Sequence, residues 1–204
     1  MAHGGKGGVI KRIGLTGGIA TGKSYVRSSL ERLGIPGVDA DAVVHSLLGP
    51  RTPASVEVAR RFGPGFILHD GGVNRRALGR LVFSDKSARA DLEGIVHPLV
   101  FEQIGRWMAE RQSSGLRAAV ADIPLLFETG HEGDFDLVLV AACRPSEQLR
   151  RLMARDRLTE DEARARLAAQ WPIERKAALA DHVIRTDGTF EETNRQVEAF
   201  ACNL

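Results

Sequence analysis

Residues 17–24 read Gly-Gly-Ile-Ala-Thr-Gly-Lys-Ser, which fits GxxxxGK[ST], behind the apolar segment Val9 to Leu15 and ahead of helix-compatible sequence. That context dictates a strand, a phosphate-binding loop and a helix in succession. The residue types follow from the chemistry. Gly17, Gly18 and Gly22 let successive backbone N–H groups turn onto phosphate oxygens, with Ala20 and Thr21 completing the loop. Lys23 reaches the β- and γ-phosphates of a nucleotide, and the Ser24 hydroxyl can ligate Mg²⁺. A helix opening at Lys23 aims its positive end at the same anion. Ala20 fits this loop if its φ is negative, since it lacks the conformational range of glycine.

Along the rest of the chain, short apolar runs alternate with helix-patterned stretches, the signature of a parallel sheet covered by helices. Candidate strands are Val9 to Thr16, Ile35 to Asp39, Arg117 to Asp122, Asp136 to Ala142 and Val183 to Arg185. Most are too uniformly apolar for a half-exposed strand, which places them centrally. Helices are expected over 23–33, 40–48, 54–62, 75–82, 87–112, 146–155, 160–180 with breaks, and 189–201, with Pro98 and Pro172 marking a start or a kink. The long helical excursion between the strands near 35 and 117 reads as a lobe inserted into the sheet topology.

Ligands of parallel α/β sheets collect at the carboxyl ends of strands. Three acidic residues fall there: Asp39 and Asp41 after the second strand, and Asp122 after the third. Asp122 closes the apolar run Ala118 to Ala121, the pattern of a carboxylate that holds Mg²⁺ directly or through water. It also suits the turn before Pro124, as Asp39 suits a helix N-cap, so spacing alone leaves both readings open.

Length and composition bound the alternatives. A chain of 204 residues suits one compact domain with a sizeable core. A formal net charge of +2 provides no global field for nucleic acid or an anionic membrane. Cys143 and Cys202 lack metal-ligand spacing, which suggests a reduced, cytoplasmic setting. Residues 1–8 contain no apolar signal region and read as a flexible lead-in, and no apolar run reaches membrane-spanning length. Oligomeric state is a surface property that periodicity does not carry.

Four motifs in order carry a resemblance: Ile13 to Ser24, Asp39-Ala40-Asp41, His97-Pro98 and Ile123-Pro-Leu-Leu-Phe-Glu128. With Gln148 to Asp156 and Ala180 to Gly188 they extend from about Ile13 over nearly the whole chain, which resembles the dephospho-CoA kinases. The resemblance implies an α/β P-loop NTPase fold, a three-layer sandwich around a parallel five-stranded sheet. Its parts would be a core (about 9–39, 115–145 and 181–204), an inserted helical substrate lobe (about 40–114) and a lid (about 146–180). The implied reaction moves the γ-phosphoryl group of ATP, with Mg²⁺, to the ribose 3′-hydroxyl of dephospho-CoA. Asp39 would then be the general base, with Asp41, His97 and Pro98 near the acceptor. Leu125, Leu126 and Phe127 would form apolar walls, although core packing explains the leucines equally well, and Glu128 would anchor their loop. A histidine before proline can also simply cap a helix start.

Residues 144–176 mix arginines and Lys176 with acids, which reads mostly as a solvated helical face. Arg155 is the exception that the resemblance implies, a lid arginine brought to the γ-phosphate on closure, with Arg151 one turn earlier as a second cation. The chain also departs from the family pattern. Tyr25 replaces a small residue, which leaves its backbone N–H rather than its side chain as an α-phosphate donor. Thr186-Asp187-Gly188 stands where an asparagine is frequent beside the adenine, so base recognition there falls to backbone groups. Another small-molecule kinase of this architecture, or a nucleotide-dependent switch, is the competing class, but the DAD and HP motifs speak against the first. The second lacks an NKxD motif. The low aromatic content and interleaved acids speak against a nucleic-acid-binding module.

Overall fold

The computed structural model describes residues 10–204, so the expected lead-in at 1–8 and the first residue of the first predicted strand lie outside the described residues. In chain order the elements are β1 (Lys11–Gly17), α1 (Lys23–Arg32), β2 (Gly37–Asp39), α2 (Ala40–Leu47), α3 (Pro53–Phe62), α4 (Arg75–Ser84) and α5 (Lys86–Ser113). They continue as β3 (Ala118–Asp122), β4 (Leu137–Ala142), α6 (Pro145–Asp156), α7 (Glu160–Leu167), α8 (Ile173–Leu179), β5 (His182–Arg185) and α9 (Phe190–Cys202). The break between α7 and α8 falls at Pro172, which directly precedes the first residue of α8.

The five strands form one parallel sheet in the order β2-β3-β1-β4-β5. Its core is built from Ile13 and Leu15 of β1, Val120 of β3, Leu139 and Ala141 of β4, and Val26, Leu30, Val197 and Phe200 of α1 and α9. With both faces covered, the central strands carry no polar alternation. All five residues of β3 are buried, including its terminal Asp122. The register sets Asp39 of β2 beside Asp122 of β3, and both lie at the carboxyl ends of their strands.

The chain divides into two compact units. One comprises the described residues up to Asp39 together with Met108–Leu204, and holds the whole sheet. The other, Ala40–Trp107, is helical: Thr52 caps α3 by accepting from Ser55 N at 3.1 Å, and Asn74 caps α4 by accepting from Ala77 N at 3.1 Å. Within it, Arg61 of α3 pairs with Asp91 of α5. Pro98 lies inside α5, so His97 stands in mid-helix. The capping reading of that histidine is therefore wrong, because the helix begins eleven residues earlier, at Lys86. No helix among the described residues is long and apolar enough to cross a membrane.

Candidate active site

The loop between β1 and α1 is fastened from outside by side chains distant in sequence. The Lys176 ammonium donates to Gly17 O at 3.2 Å, the Gln148 amide donates to Ile19 O at 2.7 Å, and Gln170 Oε1 accepts from Ile19 N at 2.9 Å. The Thr186 hydroxyl donates to Thr21 O at 2.7 Å, and Thr21 Oγ1 closes the loop on Gly18 O at 2.8 Å. Gly17 must be glycine, since a Cβ there would stand 2.6 Å from Ala141 O and 2.7 Å from Thr21 Oγ1.

Gly22 is the N-cap of α1 with φ 80°, and neither a side-chain cap nor an acidic residue occupies the first turn. That leaves a helix terminus suited to an anion. Ala20 departs from its expected backbone, with a φ of 61° in the left-handed region instead of a negative value. The two turns of positive φ at residues 20 and 22 are what bend the loop around its centre, and only the second has glycine's freedom.

Lys23 donates to Asp122 Oδ1, and Arg27, one turn further along α1, contacts both strand-end acids. Its Nη2 lies 3.2 Å from Asp39 Oδ2 and its Nε 3.4 Å from Asp122 Oδ2, with Glu31 Oε1 3.7 Å from Nη1. Asp122 is 1% exposed, so its charge depends on these two cations. The hydroxyl of Ser24 and the carboxylate of Asp122 are hard oxygen donors, the type that Mg²⁺ takes in company with nucleotide phosphates. Among the described residues no cluster of three or more His, Cys, Asp or Glu forms a metal site by itself, so such an ion would rely on phosphate oxygens for the rest of its shell.

Expected nucleotide contacts divide into two groups. Ser24 is exposed at the start of α1, whereas the N–H of Tyr25, expected as a phosphate donor, donates to Gly22 O at 3.0 Å because the first helical turn closes there. The Tyr25 hydroxyl donates to Asn194 Oδ1 at 3.1 Å and its ring packs on Phe190 with centroids 4.7 Å apart. Asp187 Oδ1 accepts from Arg144 N, and Gly188 leaves room for Glu192, which closes the capping box of α9. Thr186, three residues before the α9 N-cap, faces the loop and is buried.

On α6, Arg151 donates to Thr186 O at 2.6 Å and to Glu147 Oε1 at 2.7 Å. Hydrogen bonds from Arg150 first, joined by Arg151, outweigh burial and hold the Glu147 carboxyl down at about 2. Arg155 is 57% exposed and pairs with Asp156 at 2.7 Å, which Arg166 also holds at 2.7 Å.

Lys176 is a correction. Read from its mixed-charge surroundings as solvated, it has no exposed side-chain surface and lies 2.8 Å from Glu128 Oε1. It also donates to Pro124 O at 2.9 Å, and Trp171 N donates to Glu128 Oε1 at 2.9 Å. Burial pushes the Lys176 ammonium below its usual range, against the pull of Glu128. Leu125 is 36% exposed, Leu126 is sealed in the core, and Phe127 stacks on Trp171 at 6.4 Å, itself covered by Arg175. Burial pushes the Cys143 thiol above its usual range. In the helical unit, Asp41 is exposed in the first turn of α2, His97 is half-buried and Pro98 is exposed.

The sequence profile of a family described as dephospho-CoA kinase matches residues 11–192. A dephospho-CoA kinase of Geobacillus kaustophilus is 45% identical over 190 residues, covering 92% of this chain and 93% of the relative. A Thermus thermophilus structure, TT1252, aligns with a TM-score of 0.80 at 36% identity, over 97% of this chain and 99% of its own. The dephospho-CoA kinase of Campylobacter jejuni aligns with a TM-score of 0.74 at 28% identity, over 94% and 96% of the two chains.

Proposed function

The chain belongs to the dephospho-CoA kinase family and is an ATP-dependent kinase, and from that premise we propose how its residues move the γ-phosphoryl group of ATP to the ribose 3′-hydroxyl of dephospho-CoA. The observation that carries the reading is the convergence of Lys23, Asp39 and Asp122 at the carboxyl edge of β2 and β3, beside the uncapped start of α1.

The nucleotide phosphates seat on Gly17 to Ser24. Lys23 leaves Asp122 for the β- and γ-phosphates, and Ser24 with Asp122 would hold Mg²⁺, which when bound neutralises charge on the phosphates. The Asp39 carboxylate accepts the proton of the 3′-hydroxyl as its oxygen forms the new bond to phosphorus. The bond from the γ-phosphorus to the β,γ-bridging oxygen breaks and ADP departs. The transition state is loose and its charge is spread over phosphoryl oxygens, so cations contribute more than the base. Residues 146–180 act as the lid that delivers Arg155 and excludes water, with Arg151 as second cation. The inserted lobe, about residues 40–114, contributes Asp41, His97 and Pro98 as acceptor-binding residues, and the loop anchored by Glu128 contributes Leu125 and Leu126. Asp187 and Gly188 border the base. The reaction belongs in the cytoplasm.

The test is an ADP-release assay with Mg·ATP and dephospho-CoA, run beside adenosine, AMP and shikimate, with the product identified by mass. Turnover confined to dephospho-CoA and giving the 3′-phosphorylated product is expected. ATP binding without transfer to dephospho-CoA would overturn the reading.

A further inference from the structure

Asp39 and Asp122 stand side by side in register on parallel strands, where neighbouring backbones run about 4.8 Å apart. Two carboxylates so placed repel each other, and one of them is almost fully buried. The structure holds this pair with two cations from one face of α1. Lys23 takes Asp122 Oδ1, while Arg27 spans the pair, 3.2 Å from Asp39 Oδ2 and 3.4 Å from Asp122 Oδ2.

Arg27 is set apart from the exposed arginines of the chain by this environment. Its side chain is 21% exposed, and its contact with Glu31 on the same helix, at 3.7 Å, is longer than either contact across to the sheet. Its Nε is buried and has no hydrogen-bond acceptor, although Asp122 Oδ2 lies just beyond good geometry. A buried guanidinium N–H without an acceptor is costly, and so is a buried carboxylate that loses its cation. Departure of Lys23 to a phosphate leaves Asp122 to Arg27 and to the Mg²⁺ it would hold, and a slight approach of Arg27 Nε to Asp122 gives the guanidinium its missing acceptor.

We infer that Arg27 is a positioning residue for phosphoryl transfer, a rigid fork that keeps Asp39 and Asp122 together and takes charge of Asp122 when Lys23 moves to the nucleotide. This rests on the reading of Asp39 as the base and Lys23 as the phosphate ligand. A guanidinium is suited to the task because it stays charged at any working pH and presents its donors in a plane. Arg27 acts through the acids and touches neither substrate.

The experiment compares Arg27→Ala and Arg27→Lys with the parent, in the parent and in an Asp39→Asn background. It follows kcat, the KM for dephospho-CoA, the dissociation constant of a non-hydrolysable ATP analogue, and Tm. The expected result is a kcat lower by about ten- to a hundredfold in Arg27→Ala, with analogue affinity changed by less than about threefold. Arg27→Lys recovers part of that loss, and Arg27→Ala costs less once Asp39 is already Asn, the remainder being its hold on Asp122. A kcat within about twofold of the parent, equal losses in both backgrounds, or a loss confined to analogue affinity would overturn the inference. If Arg27→Ala fails to fold, Arg27→Gln, which keeps length without charge, carries the same comparisons. A parent chain that does not phosphorylate dephospho-CoA defeats the functional reading, whereas an active parent with an indifferent Arg27→Ala defeats this inference alone.

Discussion

The Lys176 ammonium stands 2.8 Å from Glu128 Oε1 with no part of the lysine side chain reaching solvent. The pair joins the segment after α7 to the loop after β3, and through Gly17 O the same ammonium reaches the phosphate loop. Lys176→Met strands a carboxylate whose second oxygen, Oε2, already has no partner. The expected cost is about 3–5 kcal/mol, measured by denaturant unfolding. Adding Glu128→Gln should recover much of it, since no charge is then left alone. A Lys176→Met chain as stable as the parent would show that the ammonium contributes nothing to folding.

Ala20 holds a φ of 61° without glycine's freedom. Ala20→Gly relieves about 1–2 kcal/mol of native strain and loses about 0.4–1 kcal/mol to the freer unfolded chain. The net expectation is a gain of about 0.5–1 kcal/mol, read as a Tm higher by roughly 1–4 °C. A lower Tm would mean that the loop relaxes the alanine in solution.

Arg155 lies mostly in solvent on Asp156, away from any phosphate role in this conformation. If it is the arginine carried by lid closure, Arg155→Ala lowers kcat by about 10³-fold while Tm stays near the parent value. Steady-state kinetics and a melting curve decide it, and an intact kcat would remove Arg155 from the mechanism.

Glu147 is held at about 2 in the folded chain, against an ordinary value of 4.5. As pH falls through this window the unfolded state takes up its proton first, so the stabilisation present above about pH 4.5 is lost toward pH 2. Glu147→Gln has no such proton to bind. Its Tm should therefore fall less than that of the parent between pH 6 and pH 3, and parallel curves would count against the assignment.

Much of this was legible because it is local. The strand, the glycines and Lys23 are contiguous, and the sheet's apolar runs announce burial on both faces. The strand-end acids follow from the same runs. Lys176 was misread because its neighbours in sequence are charged, while its partners Gly17, Pro124 and Glu128 lie far along the chain. Gln148 and Gln170 went unnoticed for the same reason, since an amide has no charge to mark it and only the fold brings it to Ile19. Arg27 did carry a signal. It stands four residues after Lys23 on a helix whose face was already assigned to phosphate, but only the sheet register sets two carboxylates opposite it. The backbone of Ala20 could not be read from composition, because the turn is imposed by contacts on either side of it.

Gln148 and Gln170 fasten the two ends of one stretch of chain to a single residue, Ile19. Arg151, Arg155 and all of α7 lie between those two attachments. Both ends of that span therefore hold on to the phosphate loop through the two backbone groups of one residue. If the span is the lid proposed above, seating a nucleotide and moving Arg155 act on the same short piece of backbone.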